Sequence, residues 1–362
     1  MYTPKDFEQA VRDSNGLVCY GTGRRFQRFV EQYSETDILR YLLYCVDRNE
    51  DLYDKNLEVG DKSIPVHSLE AFQDIREQNV VLLITNLYYD QVLDDLNKKG
   101  YLNGIRYYCF THLYGMILEE NAMQKRIPAN IRITSDPVIP KKIHYCWFGE
   151  TPIPDKYKKW MESWKKFCPD YEIIRWDESN YDIKKNAYMY EAYQCKKWGF
   201  VPDYARLDII YEHGGIYLDT DVELVANLDD MLYQKAFIGF EREDFVALGL
   251  GFGAEKGMPV IAEMREYYEG RHFIDKNGAP DLTASPIHQT EFLSRKGLRL
   301  NGEYQRIGDL VVYPEKMLSG KCPYTRRVRL TSYTKSIHHY EATWADDNWK
   351  MRNELFEQEM NS

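Results

Sequence analysis

Two aspartates one residue apart, Asp219 and Asp221, stand in the otherwise apolar stretch HGGIYLDTDVEL, residues 213–224. Burying a carboxylate is costly unless something positive neutralises it. Read as a strand, the stretch turns Ile216, Leu218 and Val222 to one face and Tyr217, Asp219, Asp221 and Glu223 to the other. Two carboxylates on one face repel, and a divalent cation between them is the economical answer. Hard oxygen ligands suit magnesium or manganese. The bland alternative is an acidic turn, because a bare DxD is common by chance.

The preceding segment, VPDYARLDIIYEHGG, reads as a helix. Pro202 fits its start and Gly214 its stop. Asp203 lies in the first turn, where the helix dipole favours an anion. Asp203 and Arg206 share a face. An ordinary surface ion pair has the same spacing, but this helix leads straight into the DxD stretch, which sets the pair beside a metal site.

The chain that must position these residues has 362 of them, enough for about two domains. Acids outnumber bases by 57 to 47, and the net charge of −10 argues against a non-specific nucleic-acid binder. No run of about 18 apolar residues suggests a membrane-spanning helix, and the first residues lack the apolar stretch of a signal peptide. The seven cysteines form no CxxC pair, which reads as reduced cytosolic thiols. The 30 tyrosines suit polar, stackable ligands such as sugars.

In the first third, strand patterns (GLVCYGTG, NVVLLITN, IRYYCF) alternate with helical ones (RRFQRFVEQY, VHSLEAFQDIREQ, YYDQVLDDLNKKGY), while ILRYLLYCVD fits either. This alternation predicts a parallel sheet covered by helices. The glycine turn YGTG before a helix can cradle a phosphate, and Asp47 falls where a ribose-binding acid would sit. We assign residues 1–113 to a Rossmann-like domain, 114–138 to a proline-bearing linker and 139–362 to a second α/β domain. Residues 156–167, KYKKWMESWKKF, form a basic amphipathic helix. It offers either peripheral docking on an anionic membrane or, as we prefer, a solvated lysine face with core tryptophans.

IPKKIHYCWFG, PDYEIIRWDESN, PDYARLDIIYEHGGIYLDTDVE and SIHHYEATW occur in the order seen in one family, and over about residues 139–345 the chain resembles it. This is the group of glycosyltransferases with a sugar-binding region containing a DXD motif. It includes yeast-type α-1,6-mannosyltransferases, bacterial capsular polysaccharide transferases and, more distantly, the glucosylating clostridial toxins. The resemblance implies a GT-A fold with a mixed central sheet, a nucleotide-sugar donor and a manganese or magnesium ion. By resemblance Asp221 is the direct metal ligand, Asp219 acts through water and touches the ribose or sugar, and Asp203 and Arg206 hold the donor sugar and its phosphate side. Tyr217 lies along the donor, Trp147 stacks on the base with Cys146 beside it, and Asn180 is either a base contact or a turn residue. One of His338 and His339 completes the metal site, with His338 favoured. Thr343 stands where the family has Ser, its hydroxyl toward the diphosphate, and Trp344 matches the family tryptophan. In LTASPIHQTEF, Ser285 replaces the usual glycine, and His288 and Gln289 are candidates to face the sugar. The first domain resembles Rossmann-like modules attached to polysaccharide-biosynthesis proteins.

The resulting expectation is a cytoplasmic, metal-dependent retaining hexosyltransferase. It uses a nucleotide-sugar, a UDP-sugar above all, with a glycan or lipid-linked glycan acceptor in bacterial surface polysaccharide. Its rivals are a non-catalytic scaffold and an NAD(P)-binding oxidoreductase or epimerase acting through the N-terminal glycine turn.

Overall fold

The computed structural model describes residues 3–53, 55–72, 75–341 and Glu354. Two compact units emerge, Met1–Glu120 and Asn121–Asn361.

The first unit opens with α1 (Pro4–Arg12), started by a reciprocal cap between Thr3 and Asp6. Strands β1 (Gly16–Tyr20), β2 (Leu42–Val46), β3 (Asn56–Val59), β4 (Lys62–His67), β5 (Val80–Ile84) and β6 (Arg106–Cys109) form a sheet in the order β3-β4-β2-β1-β5-β6. All neighbours are parallel except the β3–β4 hairpin. The chain leaves β1 first to one side and later to the other, as expected for a Rossmann-like unit. Helices α2 (Arg24–Tyr33), α3 (Tyr89–Lys98) and α4 (Phe110–Gln124) complete it.

Two local expectations are corrected here. The segment expected as a helix, VHSLEAFQDIREQ, ends β4 and then makes two short turns, Leu69–Phe72 and Ile75–Gln78. Phe72, at the end of the first turn, and Ile75, at the start of the second, are both buried. The expected linker 114–138 begins inside α4. Leu113, Met116, Leu118, Glu119 and Ala122 are buried on several sides of that helix, so no amphipathic period marked it.

The second unit holds β7 (Lys142–Cys146), α5 (Asp155–Phe167), β8 (Glu172–Trp176), α6 (Ala187–Gln194), α7 (Pro202–His213), β9 (Gly215–Tyr217), β10 (Val222–Leu224), β11 (Ala236–Arg242), β12 (Phe245–Ala247), β13 (Phe252–Ala254), α8 (Pro259–Glu266), α9 (Ser285–Arg295), β14 (Gln305–Ile307), β15 (Leu310–Tyr313) and β16 (Ser336–His338). Its large sheet runs β14-β15-β11-β13-β9-β7-β8, with β12 paired to β11. Parallel pairs (β7–β8, β7–β9, β11–β15) and antiparallel ones (β9–β13, β11–β13, β14–β15) make it mixed, as expected. Alternate residues supply two cores. Tyr217, Ile238 and Val312 pack into one, and Ile216, Phe237 and Val311 into the other.

Helix α7 needs its glycine stop. Gly214 has φ +64°, a conformation costly for other residues. Helix α5 buries Tyr157, Trp160, Ser163 and Trp164, and the Trp164 indole donates to the Val222 carbonyl at 2.8 Å. Its tryptophans therefore serve packing, and the helix presents lysines without an aromatic membrane anchor.

Candidate active site

The DxD pair is not on a strand. Strand β9 ends at Tyr217 and β10 starts at Val222, so Asp219–Val222 is a turn closed by the Val222 amide donating to the Asp219 carbonyl at 3.1 Å. The turn carries the chain from the large sheet into a ribbon of β10 and β16. Strand alternation therefore does not bring Tyr217, Asp219, Asp221 and Glu223 together: Tyr217, Asp219 and Asp221 still line one cavity through the turn, and Glu223 leaves the group. Tyr217 packs into a core, and Glu223 accepts from the His339 ring at 3.0 Å.

Pairing of β10 with β16 sets Val222 opposite His338 and so brings His338 to the turn. Its Nε2 lies 3.3 Å from Asp221 Oδ1. Ligand atoms of Asp219, Asp221 and His338 all fall within 4.8 Å of one another. His339, the other histidine considered as a ligand, is excluded from this group. Neighbouring residues on extended chain point oppositely, and its ring stacks on Trp160 with centroids 3.9 Å apart.

The electrostatics favour the charged forms of Asp221 and His338 and disfavour that of Asp219. Burial works to raise the Asp221 carboxyl, but His338 and the Glu341 backbone N–H outweigh it and bring it to about 2. Burial likewise opposes a charged His338, while Asp221, Asp219 and Glu241 raise it. Asp219 is raised, by burial first, against the pull of Arg206. Asp203 is pushed up to about 6 by burial, opposed by Arg206 and by the nearby Ser285 hydroxyl. Arg206 is buried, which disfavours its charge, yet Asp219, Tyr217 and Asp203 raise it further. Its NH2 donates to Asp203 Oδ1 at 3.0 Å, and its NH1 stands 3.7 Å from Asp219 Oδ2. Its guanidinium also lies 5.2 Å from the centre of the Tyr217 ring.

Two cavities meet at this group. One, of about 290 Å³, is lined by Cys146, Trp147, Tyr157 and Tyr217 together with Arg206, Asp219, Asp221 and His338. The other, of about 370 Å³, shares Arg206, Asp219 and His338 and continues past Asp203, Glu241 and Ser285. Trp147 is held edge-on by Tyr157, with rings 5.9 Å apart, and by its own indole donating to the Thr151 carbonyl at 2.7 Å. Burial pushes the Cys146 thiol up to about 12, so it is a neutral wall. Gly249 backs the group closely, and a β-carbon there would collide with Asp219 Oδ2.

Other candidates fall outside. Asn180 is a turn residue: its amide donates to the Arg175 carbonyl at 2.8 Å and its oxygen accepts from the Asp177 amide at 2.9 Å. Gln289 ties down backbone, accepting from the Leu248 amide at 2.9 Å, and His288 packs against Tyr267 and Tyr268. Neither lines the cavities. Thr343 and Trp344 lie outside the described residues. In the first unit Asp47 accepts from the Thr22 amide at 2.9 Å and hydroxyl at 2.7 Å, so the acid pins the glycine turn. Sequence reasoning missed Glu241 and His144. The buried His144 ring lies between the Gly214 carbonyl and the Trp176 indole and braces the end of α7. Its place within KKIHYC beside the glycine stop is known only once β7 and β9 pair.

The pattern of a glycosyltransferase sugar-binding region containing a DXD motif matches residues 154–238. An uncharacterized glycosyltransferase of Acanthamoeba polyphaga mimivirus is 33% identical over 203 residues, 52% of this chain and 78% of that protein. The chain belongs to the DXD-containing glycosyltransferases. Inositol phosphoceramide mannosyltransferase 3 of Schizosaccharomyces pombe is 31% identical to this glycosyltransferase over 130 residues, 35% of this chain and 36% of that one. Mannosyl phosphorylinositol ceramide synthase of Saccharomyces cerevisiae is 28% identical over 169 residues, 44% and 38% of the two chains. The glycosyltransferase thus spans little more than a third of the length of these yeast relatives.

Proposed function

We propose that the protein is a metal-dependent retaining hexosyltransferase that takes a UDP-sugar and glycosylates a glycan or lipid-linked glycan of a surface polysaccharide, in the cytoplasm. The observation that carries the reading is the junction of two cavities at Arg206, Asp219 and His338, one rimmed by Trp147 and one open beyond Asp203. The seven free cysteines, six of them buried, favour a reducing compartment.

Asp219, Asp221 and His338 fit manganese or magnesium: two hard carboxylates and one imidazole converge, and His338 Nδ1 has no hydrogen-bond partner. Such an ion would supply Lewis-acid stabilisation of charge on the departing diphosphate. The chain's own residues supply the rest. Trp147 stacks on the base. Arg206 lies buried at the junction, where its fixed positive charge faces the diphosphate. Asp203 orients Arg206 and receives donor-sugar hydroxyls on its unpartnered Oδ2. The acceptor hydroxyl attacks the anomeric carbon on the leaving-group face as its bond to the diphosphate breaks, and the hydroxyl proton goes to the departing phosphate.

The test is donor hydrolysis. UDP- and GDP-sugars, GDP-mannose included because the named yeast relatives are mannosyltransferases, are incubated with manganese or with chelator, and released nucleotide is assayed. Manganese-dependent release from one donor, abolished in Asp221→Asn, is expected. No release, together with no thermal shift from any nucleotide plus metal, overturns the reading.

A further inference from the structure

Strand β11 carries an irregularity at the cavity wall. Its pairing with β12 runs Gly239 to Ala247 and Phe240 to Val246, then jumps to Arg242 opposite Phe245. Glu241 is the extra residue of a β-bulge, a device that re-aims a side chain and recurs beside active sites. Glu241 lines the cavity of about 370 Å³ and does not line the one containing Trp147.

Its surroundings differ from those of the other acids in the cleft. Asp203 is bound by Arg206, Asp219 stands beside Arg206, and Asp221 is held by His338 and the Glu341 amide. Among the described residues, none forms a hydrogen bond or ion pair with the Glu241 carboxylate, although His338, Arg242 and Arg326 act on it electrostatically. A carboxylate held at a cavity wall by its backbone, within the field of cations, is a hydrogen-bond acceptor waiting for a donor from the ligand. Phe245, Tyr324 and Tyr340 line the same cavity, with Arg242 lying over the first two rings and Arg326 over the third, an aromatic and cationic wall suited to a polyol.

We propose that Glu241 is the acceptor-orienting residue: its carboxylate accepts a hydrogen bond from the attacking hydroxyl of a ring-shaped polyol and aims the oxygen lone pair at the anomeric carbon. This rests on the transferase reading above. The new bond joins the hydroxyl oxygen to the anomeric carbon. The bond between that carbon and the diphosphate oxygen breaks, its electron pair leaves with the nucleoside diphosphate, and the hydroxyl proton passes to that leaving group. Glu241 ends the step unchanged.

Water occupies the acceptor position during donor hydrolysis, so the full-length protein tests the role without a known acceptor. Wild type, Glu241→Gln and Glu241→Ala are compared on the donor that wild type hydrolyses, with manganese present. We expect kcat to fall about 100-fold in Glu241→Ala and less, about 10-fold, in Glu241→Gln, whose neutral amide oxygen still accepts a hydrogen bond. Donor KM and the thermal shift with nucleoside diphosphate plus manganese should stay at wild-type values. Added formate, a small free carboxylate, should restore turnover to Glu241→Ala and leave Glu241→Gln unmoved. A raised donor KM with unchanged kcat would make Glu241 a donor-sugar ligand and overturn the proposal. Unchanged kinetics, or a lowered kcat that formate does not rescue, also overturns it. Failure of the transferase reading looks different: wild type itself then releases no nucleotide and shows no nucleotide-dependent shift.

Discussion

Helix α7 buries two acids, Asp203 and Asp208, on different sides, and they are treated in opposite ways. Asp208 is closed off. Tyr181 and Lys185 donate to its Oδ2 at 2.8 and 2.6 Å, and Arg265 donates to its Oδ1 at 3.0 Å. Asp203 is left open. Arg206 holds its Oδ1, Oδ2 makes no well-formed hydrogen bond among the described residues although the Ser285 and Tyr188 hydroxyls lie close enough to act on the carboxyl, and burial pushes it up to about 6. A buried acid kept for stability is satisfied from all sides, because each unmet lone pair costs free energy. A buried acid kept for a ligand retains unmet capacity and accepts that cost. The two acids therefore allow binding chemistry to be separated from architecture within one helix.

The sharpest way to break the contrast is to neutralise each acid in turn. Asp203→Asn keeps an oxygen for Arg206 and relieves a buried charge. Nucleotide release should drop about 100- to 1,000-fold with the midpoint of thermal unfolding nearly unmoved. Asp208→Asn should do the reverse. Losing the charge that joins Lys185 and Arg265 should cost about 2–3 kcal/mol in chemical denaturation, discounted because both partners reach solvent. Turnover per folded molecule should stay within about twofold. If Asp208→Asn proves inactive while fully folded, the division between the two sides of α7 is wrong.

The brace at the end of the same helix gives a pH test. Burial, above all, lowers the His144 pKa from its ordinary 6.5 to about 4. The unfolded chain therefore binds the proton first as pH falls. Stability from the neutral ring is complete above about pH 6.5 and is lost progressively down to about pH 4, by about 3 kcal/mol. Unfolding midpoints at pH 7 and 4.5 should separate more in wild type than in His144→Gln, and equal separations would remove His144 from this account. The smallest effect expected is at the cleft rim. Trp147→Ala should raise donor KM about tenfold with little change in kcat, since one base stack contributes about 1–3 kcal/mol.

What the sequence disclosed follows from how local each signal is. Helix α7 was legible because Pro202 and Gly214 punctuate it and its charges repeat within one turn. Strands β1 and β5 were legible as short, fully buried apolar runs. The DxD turn was misread as a strand because the flanking strands have three residues each, too few for alternation to reveal the break. Resemblance already favoured His338 over His339, but the physical reason is the pairing register with β10, set by chain far away in sequence. Glu241 was not singled out as a residue. In FERED it is one acid among several, and only the bulge opposite β12 sends it to the cavity wall.

The turn at Asp219–Val222 has a consequence for chain entropy as well as for chemistry. Asp219 lies two residues past Tyr217, the end of β9 in the large sheet, whereas Asp221 directly precedes β10 and His338 ends β16 of the two-stranded ribbon. An ion gripped by all three would fasten two points more than a hundred residues apart, closing a long loop much as a crosslink does. Ligation would then count toward holding the β10–β16 ribbon against the rest of the unit. Amide exchange in that ribbon should slow when manganese is added, even with no sugar present.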